Sequence, residues 1–525
     1  MKNETENRTT KTETISISRS EYETLKKQNA ELTLQVKWLM EQMQLARHRQ
    51  FGTSSEKSEY DQLNLFNEAE ATSDERIAEP ELTEIQKHYR QKCKENKDRF
   101  PEDLPVEVVE HFLPEDEQFC PECGSELHIM GKETRRELKI IPAKAVIVEH
   151  IDYVYACRDC EKNAYGVPII KAPMDRPVIK GSFASPEAVA YIMTQKFVNG
   201  MPLYRQEQEM NRNGIKISRQ TMSNWLLKSS EDWLEPIYEA MQEMLCLHEV
   251  LHADETVLQV LHEHGKTAQS KSYMWVYRTS GDTSYPIVLY DYQPDRKGKR
   301  PAEFLKEFSG YLHTDGYAGY HSLPNDIVVV GCWAHARRKF DEVLKILPEK
   351  YREGSGALQA KRYCDKLFAI ERQLTDCTSK ERYEKRQELA RPVLNDFLAY
   401  LKSINPAPKT GFGKAVHYTL DQWKYLERYL LDGRLEISNN RAERSVKPFV
   451  IDRKNFLFAN TARGARASAV MFSIIETAKE NGLNPFAYLT YIFKNAPNWD
   501  IRNNVETLQN LMPSFVPNYC KAGNV

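Results

Sequence analysis

Three carboxylates, Asp254, Asp315 and Glu443, lie far apart in the chain, each beside a strand end, a sharp turn or a helix start. Acids spaced in this way suit phosphodiester chemistry, which uses two divalent cations about 3.5–4 Å apart, one at the attacking and one at the leaving oxygen. Magnesium prefers hard oxygen ligands, so separate elements each bring a carboxylate and leave positions for phosphate and water. Each acid also has a plainer use. Asp254 can satisfy a strand end, with Glu255 as an outward charge. Asp315-Gly316 is a routine turn pair. Glu443 stands three after Asn440, the spacing of a capping box. Glu436 and Glu476 are alternatives for the third ligand. The joint occurrence of the three favours two Mg²⁺ ions, with Mn²⁺ able to substitute.

Basic residues gather near the last acid. Arg441, Arg444, Lys447, Arg453, Lys454, Arg463 and Arg466 share a stretch whose acids are Glu443 and Asp452, and Arg337, Arg338 and Lys339 form a second cluster. The simplest use for cations beside such a cleft is gripping phosphates. A second chemistry lies upstream. Cys120-Pro-Glu-Cys123-Gly124 and Cys157-Arg-Asp-Cys160 bracket a β-rich stretch. Two such pairs offer four thiolates to one structural zinc, with no position left for water. Cys93, Cys246, Cys332, Cys364, Cys377 and Cys520 are scattered and read as core or surface thiols. Between these regions, residues 202–225 read as helix, Gly214 turn, helix. Ser218 caps the second helix, which carries Arg219, Gln220, Ser223 and Asn224 on its polar side. That pattern fits a helix-turn-helix whose second helix reads base edges.

The elements that must position these residues follow from periodicity. From residue 248 the apolar period is two: Glu249–Val260, Ser272–Tyr277 and Pro286–Tyr290 read as strands. A short helix (Pro301–Phe308), a strand running into Asp315-Gly316, a strand at Ile327–Gly331 and a helix from Trp333 follow. This order predicts a ribonuclease-H-like mixed sheet with helices on both faces. Its first and fourth strands are neighbours, so Asp254 and Asp315 face one cleft, and the helix carrying Glu443 packs across that edge. The fold expected is a multidomain α+β chain. It comprises a disordered tail (1–18), a leucine-zipper-like coiled coil (19–50), a linker (51–105), a zinc ribbon-like module (106–172) and a helical helix-turn-helix domain (173–245). A ribonuclease-H-like catalytic core (246–345 and 433–495) then carries an all-helical insertion (346–432), and a loose C-terminal tail (496–525) ends the chain. In the coiled coil, Leu25, Leu32 and Leu39 take d positions and Asn29 an a position, the pattern of a two-stranded homodimer.

The chain of 525 residues has a formal charge of −2, which excludes a uniformly basic nucleic-acid coat and leaves local patches for DNA contact. No apolar run approaches the roughly 18 residues that span a bilayer, and the polar N-terminus has no apolar signal core. These features point to a cytosolic chain with reduced thiols and no membrane partner.

Several of these motifs together resemble the IS66-family insertion-sequence transposases over most of the chain. The resemblance rests on the heptads followed by Phe51-Gly-Thr-Ser-Ser-Glu-Lys57, the paired CxxC module, His252-Ala-Asp-Glu-Thr256 and Thr314-Asp-Gly-Tyr-Ala-Gly-Tyr320. It extends through Cys332-Trp-Ala-His-Ala-Arg-Arg338, Asn439-Asn-Arg-Ala-Glu-Arg444 and the closing Ile475–Leu489. It implies a DDE transposase of a bacterial cytoplasm, nucleoid-associated when bound to DNA, with Asp254, Asp315 and Glu443 as the catalytic set. Such an enzyme binds terminal inverted repeats in double-stranded DNA, hydrolyses a strand at each end, and uses the freed 3′-hydroxyl to attack target DNA. Accessory proteins of the same element act beside it. A ribonuclease-H-like nuclease without strand transfer, and a non-catalytic zinc and helix-turn-helix regulator, are the alternatives.

Overall fold

The computed structural model describes residues 173–523 without a break. Before them it describes parts of 18–26 and 145–156 and the strand backbones at 83–84, 134–135 and 169–171. Most of the coiled coil and of the linker, and all four zinc-motif cysteines, lie outside the described residues. The chain forms two units. One holds Tyr238–Thr477; the other holds the described residues of Ser58–Ile237 and of Ala478–Val525.

The first unit is mixed α/β. Its strands are β1 (Val250–His262), β2 (Lys271–Thr279), β3 (Val288–Gln293), β4 (Gly310–His313), β5 (Ile327–Val330) and β6 (Ala459–Thr461). They lie in the order β3-β2-β1-β4-β5, with β6 also on β1. The first three are antiparallel, whereas β4, β5 and β6 run parallel to their neighbours. β2 is buried almost throughout, and Trp275 and Tyr277 are fully enclosed, as expected for a strand covered on both faces. The short helix expected from Pro301 begins earlier and ends earlier, at Lys299–Phe304 (α5). Pro301 fits its first turn, where no backbone donor is needed.

The expected insertion is helical: α6 (Trp333–Ile346) leads into α7 (Gly356–Gln373), α8 (Ser379–Lys385), α9 (Arg391–Ser403) and α10 (Gly411–Leu426). It is not a separate body, because Phe397, Leu426 and Tyr429 share one core with Val250, Val330 and Trp333. The long helix α11 (Asn440–Phe456) follows, then β6 and α12 (Ala462–Glu480). Arg386 fixes the approach to α11. Its buried guanidinium pairs with Glu371 at 2.6 Å and donates to the carbonyls of Tyr429, Asp432 and Leu435 at 2.8–3.0 Å.

The second unit includes the helices α1 (Pro186–Phe197), α2 (Leu203–Arg212), α3 (Arg219–Ser229), the start of α4 (Glu235–Cys246) and, from the C-terminal stretch, α13 (Pro485–Asn495). Ser185 accepts from Ala188 N–H with Pro186 at N1, as its sequence predicts. Two boundaries differ from expectation. The division between units falls inside the helix Glu235–Cys246, and residues from Ala478 onward group with the helical unit, not with the sheet. In that unit Lys494 pairs with Glu187 at 2.8 Å while Leu489, Ile492 and Phe493 are buried. The C-terminal stretch is folded and not a loose tail: Leu511, Met512 and Cys520 are buried, and Tyr488 Oη donates to Leu511 O at 2.8 Å. A few apolar anchors suffice to dock a segment that is otherwise polar. No helix among the described residues is long and apolar enough to cross a membrane.

Removing one partner of a buried, hydrogen-bonded ion pair leaves the other charge uncompensated, at a cost of about 3–5 kcal/mol. Arg386→Ala is therefore expected to lower the urea-unfolding free energy by about that amount; a loss below about 1 kcal/mol would contradict the role given to this residue.

Candidate active site

The register of two parallel strands sets the site. β4 pairs with β1 so that His313 lies opposite His252 and Leu312 opposite Leu251. β4 ends there, and Asp254 and Asp315 each lie two residues past that last pair. Side chains alternate along a strand, so Asp254 projects on the same side as His252, while Asp315 lies in the turn just past β4, close enough for its charge to act on Asp254. The two imidazoles stack, with centroids 4.5 Å apart and planes 11° from parallel. The structure thus brings Asp254 and Asp315 to one edge of the sheet.

Glu443 arrives from α11. The helix does not begin as the capping-box spacing predicts. Asn439, not Asn440, is the N-cap residue, and its side chain makes no cap bond. It reaches the sheet instead: Oδ1 pairs with His252 Nδ1 at 2.9 Å, and Nδ2 donates to Ala253 O at 2.8 Å. Its backbone N–H donates to Cys332 Sγ at 3.1 Å, at the start of α6. Relieved of any capping duty, Glu443 accepts from Arg338 Nη2 at 3.2 Å and lies 3.6 Å from His335 Nδ1. The first turns of α6 and α11 therefore meet beside the aspartates. A carboxylate in a first turn is also favoured by the helix dipole.

The electrostatics identify an excess of negative charge. Burial, and then the charges of Glu255, Asp315 and Glu443, push the Asp254 carboxyl well above its ordinary range. Like charges gathered in a partly buried cleft disfavour ionisation unless a cation is present. Glu255 is no outward charge. Its side chain is buried, ion-paired with Arg296, and accepts from Tyr320 Oη at 2.7 Å. Burial and then the Asp315 charge raise its pKa, while Arg296 lowers it. Arg296 also lies 3.9 Å from Asp315 and over the Tyr317 ring. Asp315 holds its own turn by accepting from Tyr317 N–H at 2.9 Å.

Of the alternative third acids, Glu436 is engaged by Arg441 at 2.7 Å, and Glu476 is buried in α12. Glu443 is among the largest charges acting on Asp254, and neither Glu436 nor Glu476 is.

The basic residues divide. Arg338 reaches Glu443, but Arg337 donates to Asp365 of the helical insertion at 2.6 Å. Arg441 is held by Glu436, and Arg453 donates to Thr256 Oγ1 at 3.0 Å and to Val257 O. These contacts position α11 on β1. Arg444, Lys447 and Lys454 are exposed.

In the other unit Gly214 takes φ +80° between the two helices, and Ser218 Oγ accepts from Thr221 N–H at 3.1 Å. Met222, Trp225 and Leu226 are buried. Arg219, Gln220 and Asn224 are exposed and Ser223 is half-buried. Gln220 donates to Asn224 at 3.1 Å, and Arg219 lies over the Tyr204 ring.

Sequence reasoning overlooks Cys332 and His335. Cys332 Sγ, an imidazole nitrogen of His335 and a carboxylate oxygen of Glu443 lie within 4.8 Å of one another, a set able to hold a metal ion. The C-x-x-H spacing at a helix start is the available signal. Thiol and imidazole are softer than carboxylate and suit zinc better than magnesium. Burial, followed by the Glu443 charge, pushes the Cys332 thiol up to about 12.

Comparison with known proteins is consistent along the chain. The profile of the "Transposase IS66 family" matches residues 181–467 and so takes in every residue of this site. The chain belongs to the IS66 transposase family. Further matches are the "zinc-finger binding domain of transposase IS66" at 117–161, spanning both CxxC pairs, and the "IS66 C-terminal element" at 473–514. "Transposase C of IS166 homeodomain" matches 38–109, covering much of the stretch read as a linker. Among curated proteins the chain is similar to two uncharacterized proteins of Sinorhizobium fredii. It is 29% identical to y4jD over 80% of this chain and 82% of the relative, and 30% identical to y4qI over 73% and 71%.

Burial lowers the His252 pKa to about 3 and holds His313 well below its ordinary value, with His252 beside it as the next cause. Both histidines titrate near 6.5 when unfolded, so acid protonates the unfolded chain first. Their stabilising contribution is complete above about pH 6.5 and is lost as pH falls toward the folded values. Comparing the pH profiles of wild type and His313→Asn cancels every other titrating group. Between pH 7 and pH 5 the variant should lose about 2 kcal/mol less stability than wild type; identical profiles would contradict neutral burial of this ring.

Proposed function

We infer that this IS66 transposase acts at the ends of its own element, cutting and joining DNA at Asp254, Asp315 and Glu443. The carrying observation is the meeting of three acids from separate elements: Asp254, half-buried on β1, lies close enough to Asp315 and Glu443, as well as to its neighbour Glu255, for their charges to act on it. Three hard oxygen donors with surplus negative charge fit divalent cations of the magnesium type. The strand order and directions support a ribonuclease-H-like core, in which ligands from the first and fourth strands and a late helix converge.

Mg²⁺ held by these carboxylates would supply activation of the attacking oxygen and stabilisation of the leaving oxygen. The chain's own residues do the rest. Asp254 is fixed by the β1 backbone and Asp315 by its turn. Arg338 and His335 orient Glu443. Arg296 favours the ionised form of Glu255 and partly offsets the negative charge of Glu255 and Asp315. Exposed Arg444, Lys447 and Lys454 offer phosphate contacts along α11, while Arg219, Gln220, Ser223 and Asn224 are the base-reading candidates for the terminal inverted repeats. A homodimer through residues 19–50, and accessory proteins from the same element, complete the proposed assembly. The same cleft would hydrolyse each element end and then direct the freed 3′-hydroxyl at target DNA.

The test is cleavage and strand transfer on DNA carrying the element's own ends, with Mg²⁺ and accessory proteins. Losing a metal ligand removes several kcal/mol of transition-state stabilisation, so Asp315→Ala and Glu443→Ala should each lower the rate by roughly 10³-fold or more. Nicks without joined products would favour a plain nuclease, and binding without cleavage a regulator. Activity that survives Glu443→Ala would move the third ligand elsewhere.

The four cysteines of 117–161 are proposed to hold one structural zinc. Elemental analysis should find one zinc per chain, and Cys123→Ser should lose it and destabilise that module. Retention of full zinc by Cys123→Ser would contradict the ligand set.

A further inference from the structure

Helix α11 has an exposed stripe. Arg444, Lys447, Ile451 and Lys454 are exposed and recur at three- and four-residue intervals, so they share one face. The stripe starts beside Glu443 and extends about 15 Å along the axis, the length of roughly four or five base pairs. It ends in an apolar tip. Leu457 is 66% exposed and Phe458 is 44% exposed.

The backbone at this tip is unusual. Leu457 has φ 67° and ψ −50°, and Phe458 N–H donates back to Phe456 O at 2.9 Å. This is a γ-turn of the strained kind. Leu457 is the one non-glycine residue with positive φ among the described residues. A glycine would sit there without strain. The tip is also held firmly. Before it, Arg453 bonds Thr256 Oγ1 and Val257 O, and its carbonyl accepts from Leu457 N–H at 2.7 Å. After it, Ala459 and Thr461 pair with Val260 and His262 of β1. A rigid, strained turn thus displays two large apolar side chains to solvent at the end of a basic track.

We propose that Leu457 and Phe458 form a wedge that enters the base stack of DNA lying along the α11 stripe, unstacking a base step a few pairs from the cleaved bond. The inference rests on the reading of this site as the DNA-cutting centre. Charge complementarity selects the occupant, because Arg444, Lys447 and Lys454 suit a phosphate backbone. Apolar side chains at the end of such a track are the usual means of parting base steps. The unstacked step would let the scissile strand bend toward Asp254, Asp315 and Glu443.

The experiment uses the full-length protein with Mg²⁺ and two forms of its end DNA, fully paired or carrying one mismatched step. The mismatch is moved through the six positions nearest the cleavage site. Leu457→Gly and Phe458→Ala should bind and cleave paired DNA roughly 10- to 100-fold less well, the range of one lost base–side-chain stack. The salt dependence of binding should not change, because no charge is lost. A mismatch at one position should restore both variants to within about twofold of wild type, the unstacking cost having been removed in advance. The melting temperature of Leu457→Gly should equal or exceed that of wild type, which a merely structural role for this side chain would not give. Lys447→Ala should behave differently, with a salt slope lowered by about one and no rescue. The proposal is overturned if either wedge variant matches wild type on paired DNA, or is equally impaired on every substrate. It is also overturned if Phe458→Ala abolishes self-association of the DNA-free protein, which would assign the tip to a second copy. Failure of the wild-type protein to bind end DNA would instead overturn the transposase reading, and this inference with it.

Discussion

The site depends on one amide side chain. Asn439 bonds the imidazole of His252 and the carbonyl of Ala253 on the first strand, while its backbone N–H reaches Cys332 at the start of α6. Four pieces of chain far apart in sequence are joined there, since His252 also stacks on His313 at the end of β4. Each carboxylate lies within a few residues of this knot: Asp254 two beyond His252, Asp315 two beyond His313, Glu443 four beyond Asn439. Buried polar networks of this kind tolerate little error, because an unmet donor or acceptor costs its full desolvation. Here Asn439 and the Glu436 backbone N–H each bond one nitrogen of the stacked rings, while His252 Nε2 and His313 Nδ1 have no hydrogen-bond partner among the described residues.

The knot is neutral where the cleft it supports is charged. Burial keeps both histidines uncharged, and His313 accepts from the Glu436 backbone N–H at 3.2 Å. A positive charge at this position would partly offset the surplus of acid beside it. With neutral rings, the histidines do nothing to offset the acids that raise the Asp254 carboxyl. Arg296 and Arg338 face the other two acids, at 3.9 Å from Asp315 and 3.2 Å from Glu443. The arginines moderate repulsion among the acids.

Much of this frame is legible in the sequence because period-two patterns mark strands that are buried on known faces. The order of strands and helices from Val250 to Ile346 follows from that signal, and the acids stand out because Asp254 lies on the first strand, Asp315 just past the fourth and Glu443 in the first turn of a late helix. What escapes the sequence is non-local. Asn440 looks like a cap because spacing is a local signal, yet Asn439 holds that place and spends its side chain on the sheet. Glu255 looks solvent-facing by alternation, but Arg296, from a distant loop, buries it. Cys332 and His335 look unremarkable until α6 meets α11. The segment after Asn495 looks loose because polar residues dominate it, whereas Leu511, Met512 and Cys520 are enough to dock it.

Glu443 lies with Cys332 and His335 in one possible metal-holding group and is proposed to join Asp254 and Asp315 in another, so a metal on Glu443 must choose between them. The most direct measurement is Fe²⁺-mediated oxidative cleavage of the polypeptide, in which bound iron cuts the backbone next to its ligands. With iron on the three carboxylates, cuts are expected near residues 254, 315 and 443, suppressed together by excess Mg²⁺ and lost together in Asp254→Asn. Cuts confined to the neighbourhood of residues 332–335 and 443, unaffected by Mg²⁺, would contradict it.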